Sequence, residues 1–175
     1  MIRLTLTEQA SPLGTLLLIT DGEALRALDF HDDTDRMHRL LRLHYGTFQL
    51  VAASQPTEAG RHVQAYFDGD LNALDRITVH TGGTEFQREV WAALRRIPPG
   101  ITLSYGTLAE RLGKPTAIRA VGAANGANPI SIVIPCHRLR GADGSLTGYA
   151  GGLHRKEWLI KHEAAAIRPA PAPPQ

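Results

Sequence analysis

Apolar and polar residues alternate from the start of the chain. Ile2, Leu4 and Leu6 fall on one side with Arg3 and Thr5 between them, the period-two pattern of a strand with one buried face. Residues 15–19 and 25–30 predict two further strands, with Ser11-Pro12-Leu13-Gly14 and Asp21-Gly22 as the turns between them, so a small antiparallel meander is expected. The period then changes. Met37, Leu40, Leu41 and His44 recur at helical spacing, and a second helical stretch gathers Val63, Tyr66 and Phe67 before Asp68-Gly69-Asp70 stops it. Residues 1–80 therefore read as an α+β domain.

The pattern weakens from Leu71 to Gly83, and Thr81-Gly82-Gly83-Thr84 leads into a capping box in which Thr84 and Gln87 satisfy each other's backbone donors. The helix that starts there buries Phe86, Val90, Trp91 and Leu94 and ends at Pro98-Pro99-Gly100. Ser104 can cap a short helix carrying Leu108 and Leu112, closed by Gly113. Lys114-Pro115-Thr116 then restarts a helix over residues 117–124. Helix, tight turn, helix is the outline of a DNA reader. The second helix is nearly bare, since Ala117, Ala120, Gly122, Ala123 and Ala124 leave only Ile118, Arg119 and Val121 with side chains of any length. Such a backbone can approach a partner closely or pack tightly within its own domain; the pattern leaves both open.

Residues 130–134 form a continuous apolar run that should be buried and should hold Pro135-Cys136-His137-Arg138 rigidly at its end. Gly141, Asp143 and Gly144 mark a turn, Gly148-Tyr149-Ala150-Gly151-Gly152 a close-approach loop, and residues 153–163 a closing helix. Residues 81–165 read as a second, mainly helical domain, and the Ala/Pro-rich composition beyond Ala164 makes residues 166–175 an expected disordered tail.

Composition narrows the setting. The longest early apolar stretch, residues 16–19, is far short of the ~20 residues a membrane span needs. The amino terminus lacks the basic-then-apolar layout of a secretory signal, so a cytoplasmic location is expected. A single cysteine allows no internal disulfide and no multi-cysteine zinc site. Net charge is only +2, yet residues 1–84 carry 7 Lys+Arg against 11 Asp+Glu, and the remainder 12 against 6. A basic half beside an acidic one suggests a surface that meets a polyanion.

Cys136 carries the candidate chemistry. An ordinary thiol is only a few per cent thiolate at neutral pH and needs a base or a positive field. His137 and Arg138 are adjacent, but neighbours on an extended segment point opposite ways, so His137 would reach Cys136 through a water or after a sharp turn. Spacing alone leaves Cys136 a nucleophile or a core residue.

Ile134-Pro135-Cys136-His137-Arg138, followed by Gly148-Tyr149-Ala150-Gly151-Gly152 and Lys156-Glu157-Trp158-Leu159, resembles the O6-alkylguanine-DNA alkyltransferases. The likeness runs from about Gly83 to Glu163, includes Phe86-Gln87-Arg88-Glu89-Val90-Trp91, Tyr105-Gly106 and Arg119-Ala120-Val121-Gly122, and is greatest to the short bacterial constitutive members. It implies an α+β fold with an amino-terminal ribonuclease-H-like antiparallel sheet and helices, then a mainly helical carboxy-terminal domain with a helix-turn-helix. It implies that Cys136 takes an alkyl group from O6-alkylguanine, and from O4-alkylthymine, in a single irreversible turnover. His137 would polarise it through a bound water, and Glu163 would orient His137 and support positive charge on it, favouring the thiolate. Tyr105 would donate to the departing guanine.

By the same resemblance, backbone groups of Cys136, Leu139 and Ala150 read the base edge, and Tyr149 and Gly151 complete the pocket. Arg119 fills the gap left by an extruded base, while Thr116, Ala117 and Ala120 lie against the DNA minor groove. Asn128 ties the helix-turn-helix to the active segment. Leu139 and Ala150 depart from the Val and Ser of familiar members. With no amino-terminal cysteine, neither a metal nor a cofactor is expected. The expected partner is duplex DNA containing O6-alkylguanine, met by a monomer able to cluster along it, with no membrane. The alternatives are a non-catalytic sensor of alkylated DNA, which Cys136 disfavours, and a cysteine hydrolase, which leaves the bare helix without a purpose. A helix-turn-helix regulator would need the base-reading side chains that this helix lacks.

Overall fold

The computed structural model describes residues 1–168 and 173–174. Three strands, β1 (Ile2–Gln9), β2 (Leu16–Thr20) and β3 (Leu25–Phe30), form the expected antiparallel meander, with Thr5 opposite Thr20 and Leu18 opposite Leu28. Helix α1 (Thr34–Tyr45) then crosses back and delivers β4 (Phe48–Ala52) to the far side of β1, giving the order β3-β2-β1-β4. β4 runs parallel to β1, so the sheet is mixed rather than wholly antiparallel. The physical reason is the helical crossover, which returns the chain to the end from which β3 set out.

Both faces of this sheet are covered, which explains why β2 is apolar at nearly every position instead of alternating. Leu17, Ile19 and Ala27 pack with Leu4 against Met37 and Leu41 of α1. Leu16, Leu18, Leu28 and Phe30 face the main core, which continues through Tyr66 of α2 (Glu58–Phe67) into Trp91 of α3 (Glu85–Arg95), Val121 and Ile134. One core thus spans both halves of the chain. A short 3-10 stretch, Leu71–Arg76, occupies the region where the pattern weakens.

The capping expectations hold. Thr84 Oγ1 accepts from the Gln87 amide at 3.1 Å while Gln87 Oε1 accepts from the Thr84 amide at 3.0 Å. Ser104 caps α4 (Tyr105–Arg111) by accepting from the Thr107 amide at 3.0 Å. α5 (Ile118–Gly126) follows, and the Trp91 indole donates to the Ala124 carbonyl at 2.8 Å, fixing α5 on α3. Two-residue strands β5 (Leu103–Ser104) and β6 (Leu139–Arg140) pair in parallel. α6 (Leu153–Ala166) closes the structure and runs a turn beyond the expected end at Glu163. Ala166 is therefore helical and not part of a disordered tail; the rest of that expectation falls largely on residues 169–172 and 175, outside the described residues.

β3 also carries the reactive half. The Leu28 amide donates to the Pro129 carbonyl at 3.1 Å and the Ser131 amide to the Leu28 carbonyl at 3.0 Å, pinning residues 129–131 to the sheet edge. Arg36 of α1 adds bonds to the Gly126 carbonyl, at the end of α5, and to the Asn128 carbonyl just beyond it, both at 2.8 Å. Its partner Asp29 lies at 2.9 Å in β3, where burial pushes the carboxyl up to about 6 despite the cation.

Packing around the close-approach loop is tight at Gly151, where a Cβ would stand 2.4 Å from Phe30 Cε2 in the core. Gly151→Ala should therefore destabilise the fold by about 1–3 kcal/mol through overpacking. An unchanged melting temperature would show that Phe30 yields freely.

Candidate active site

The run at 130–134 is buried as expected, but it turns. The Ile134 amide donates to the Ile130 carbonyl at 3.0 Å, and Ile132 takes φ 71°, a left-handed conformation costly for a β-branched residue. The chain then enters a 3-10 turn, Cys136–Arg138. Asn128 fixes the geometry: its side-chain amide donates to the Ile134 carbonyl at 2.7 Å and its oxygen accepts from the Ile130 amide at 2.9 Å.

Cys136 and the fully buried His137 share that turn with Arg138, and Glu163 of α6 gathers the last two. Glu163 Oε1 accepts from His137 Nε2 at 2.7 Å, Arg138 Nη2 at 2.8 Å and the Tyr66 hydroxyl at 2.9 Å; its Oε2 accepts from Arg138 Nε at 3.0 Å. Arg138 Nη1 is held by the Ile97 carbonyl at 2.6 Å. Burial of Glu163 alone would raise its pKa, but the hydrogen bonds from His137 and Arg138 and the Arg138 charge outweigh it and hold the carboxyl well below its usual range.

An ionised carboxylate only accepts, so Nε2 of His137 carries the proton. Burial lowers the His137 pKa more than Glu163 raises it, and Arg138 and Lys156 add to the lowering. The imidazole is therefore neutral at pH 7, with an unprotonated Nδ1 that is buried and has no protein partner. Burial likewise pushes the Cys136 thiol up, outweighing Asn128, Arg36 and Lys156, which act to lower it. Both shifts favour a resting thiol beside a neutral imidazole over the thiolate beside a positive His137 that the resemblance implied. Desolvation disfavours two charges more than Glu163 rewards one.

Cys136 lines a cleft of about 300 Å³ together with Tyr105, Gly122, Asn125, Tyr149 and Ala150. The Tyr105 hydroxyl pairs with Thr147 Oγ1 at 2.9 Å, and the Tyr149 hydroxyl is buried without a partner. Leu139 and Gly151 lie behind this lining, Leu139 buried in β6 and Gly151 against Phe30. Arg119, Ala120 and Thr116 are exposed and Ala117 half-buried on the helix-turn-helix, whose second helix lines the cleft through Gly122. Among the described residues Arg119 has no ion-pair partner, and no group of three His, Cys, Asp or Glu side chains could hold a metal.

Sequence reasoning missed several contributors. Tyr66 and Arg36 act across long separations, and Asn125 donates weakly to the Cys136 carbonyl at 3.4 Å. Lys156 is fully buried with Nζ bonded to the Thr147 carbonyl at 2.8 Å. The available signal was a charged residue in an apolar context, Asp29 within β3 and Lys156 on the inner face of α6.

A buried cysteine lining a cleft, next in the chain to a histidine-carboxylate pair and flanked by a helix-turn-helix, is the site of a thiol nucleophile in a nucleic-acid-binding frame. Comparison with known proteins agrees. The family model described as 6-O-methylguanine DNA methyltransferase, ribonuclease-like domain, matches residues 2–81, and that of its DNA binding domain matches residues 85–165. The chain belongs to the 6-O-methylguanine DNA methyltransferase family. Relatives named methylated-DNA–protein-cysteine methyltransferase include one from Salmonella typhimurium, 52% identical over 93% of this chain and 97% of the relative. Another, from Methanosarcina acetivorans, is 43% identical over 89% and 95%. The crystal structure of Mycobacterium tuberculosis OGT in complex with DNA superposes with a TM-score of 0.75 at 38% identity, covering 94% of each chain.

Removing the Glu163 charge leaves buried His137 and Arg138 donors facing a neutral group. Glu163→Gln should cost about 3–5 kcal/mol at pH 7. Because the folded carboxyl lies below its unfolded value near 4.5, its stabilisation is complete above that pH and fades as pH falls beneath it. The gap in melting temperature between wild type and variant should therefore narrow in acid; a gap that is constant with pH would contradict an ionised Glu163.

Proposed function

We propose that this protein repairs DNA by moving an alkyl group, methyl foremost, from O6 of guanine, and from O4 of thymine, onto Cys136 in a single turnover, as a methylated-DNA–protein-cysteine methyltransferase. The observation that carries the reading is Cys136 lining the cleft and followed directly in the chain by His137, whose imidazole is fixed by Glu163 and whose buried Nδ1 is left as a free acceptor.

In this reading His137 Nδ1 draws the thiol proton through one water. Sγ attacks the alkyl carbon, the S–C bond forms and the C–O6 bond breaks, and the electron pair stays on the base. Tyr105 donates its hydroxyl proton toward the guanine as that charge develops, with Thr147 holding the hydroxyl at the cleft mouth. The thioether product has no leaving group to regenerate the thiol, so each molecule acts once and needs no cofactor. The Cys136 and Leu139 carbonyls and the Ala150 amide would read the base edge, with Tyr149 packing against it.

The target atom lies inside the duplex, and turning the base out costs roughly a few kcal/mol. Arg119 fills the vacated space, and the small exposed residues of α5, Ala120, Ala123 and Gly126, let the helix backbone lie in the minor groove. We read residues 1–80 and 81–165 as two domains sharing one core, acting as a monomer on DNA. A hydrolase is disfavoured because the Cys136 amide, the natural oxyanion donor, is already bonded to the Ile134 carbonyl at 2.8 Å.

Intact-protein mass spectrometry after incubation with duplex carrying one O6-methylguanine should show one methyl per protein, on Cys136, and none on Cys136→Ala. Repeated turnover, or an unmodified protein that binds the lesion, would overturn the reading. Arg119→Ala should slow transfer from duplex far more than from free O6-benzylguanine; equal loss would remove the wedge role.

A further inference from the structure

Two side chains of any length leave the exposed face of α5, and the proposed function uses only Arg119. The other is Ile118, 48% exposed, a branched aliphatic on a helix whose remaining exposed positions are Ala and Gly. It stands one turn before Gly122, which lines the Cys136 cleft. Its inner side is supported: Ile118 Cδ1 lies 3.6 Å from where a Cβ on Gly106 would be, so the side chain rests on the first turn of α4, next to Tyr105. Its outer side is open to solvent.

We propose that Ile118 is the apolar half of a two-residue wedge, packing from the minor-groove side against the base step that flanks the extruded nucleotide. This rests on the reading of α5 as the DNA-facing helix. The two residues divide the work by chemistry. Arg119 offers a planar cation to the gap left by the base and to phosphates, but its flat guanidinium cannot wedge the neighbouring step by bulk. A branched aliphatic can, and minor-groove proteins that kink DNA insert such side chains between base steps. Support from α4 means that Ile118 is ordered before DNA arrives, so little side-chain entropy is lost on contact. An aliphatic contact is also blind to base identity, as a protein that must accept a lesion in any sequence requires.

The test is single-turnover transfer from duplex and from free O6-benzylguanine, for wild type, Ile118→Ala, Ile118→Leu and Arg119→Ala. Ile118→Ala should lower the ratio of duplex rate to free-base rate by about tenfold, the effect of losing roughly half an isoleucine of buried surface. Ile118→Leu should restore most of that ratio. The salt dependence of duplex binding should be unchanged by Ile118→Ala, since no phosphate contact is lost, while Arg119→Ala reduces the slope by about one. If Ile118→Ala leaves the ratio at the wild-type value while Arg119→Ala lowers it, the aliphatic wedge is wrong and the reading of α5 stands. If Ile118→Ala slows both substrates equally, the residue only braces α4, and the proposal also fails. If neither variant changes the ratio, the minor-groove reading of α5 itself falls.

Discussion

An ionised carboxylate buried among donors is the constraint on which the reactive half depends. Glu163 sits at 1% exposure and accepts from His137, Arg138 and Tyr66, which arrive from the active-site turn and from α2. Burying a charge is tolerable only when it is paired and its lone pairs are filled, and here they are. The consequence is chemical as well as structural. With Nε2 committed to Glu163 and burial keeping the ring neutral, the remaining nitrogen can only accept. In the proposed reaction His137 would then take a proton at the moment of attack instead of holding a thiolate at rest.

The same turn is held from the other side by the amino-terminal sheet. β3 hydrogen-bonds residues 129–131, Arg36 of α1 holds the end of α5, and Asn128 passes that order on to Ile130 and Ile134. The acidic half is therefore a scaffold that fixes where α5 ends and where Cys136 points. Left-handed Ile132, four residues before the nucleophile, survives because bonds on both sides over-determine its conformation.

Much of this was legible in the sequence because it is local. The meander, the caps at Thr84 and Ser104, the bare helix and the Cys136-His137 motif are each set by residues within a few positions. β4 was missed, although Phe48, Leu50 and the intervening Gln49 alternate, because its parallel pairing with β1 is fixed only by the α1 crossover. Tyr66 with Glu163 and Arg36 with Gly126 join residues about ninety positions apart, beyond any periodicity. The direction in which the His137 pKa moves was out of reach for a related reason: adjacency reveals a partner, but burial decides whether that partner's charge prevails. Asp29, Lys156 and Arg138 carried a usable signal, since a charge in an apolar element must find a counterpart.

The most direct test is nitrogen-15 NMR of His137 in the unreacted protein at pH 7. A proton on Nε2 with a bare, unprotonated Nδ1 is the state this account requires, preserved in Cys136→Ala and lost in Glu163→Gln. A doubly protonated imidazolium would contradict it, and would return the site to a thiolate-imidazolium pair formed before DNA is met.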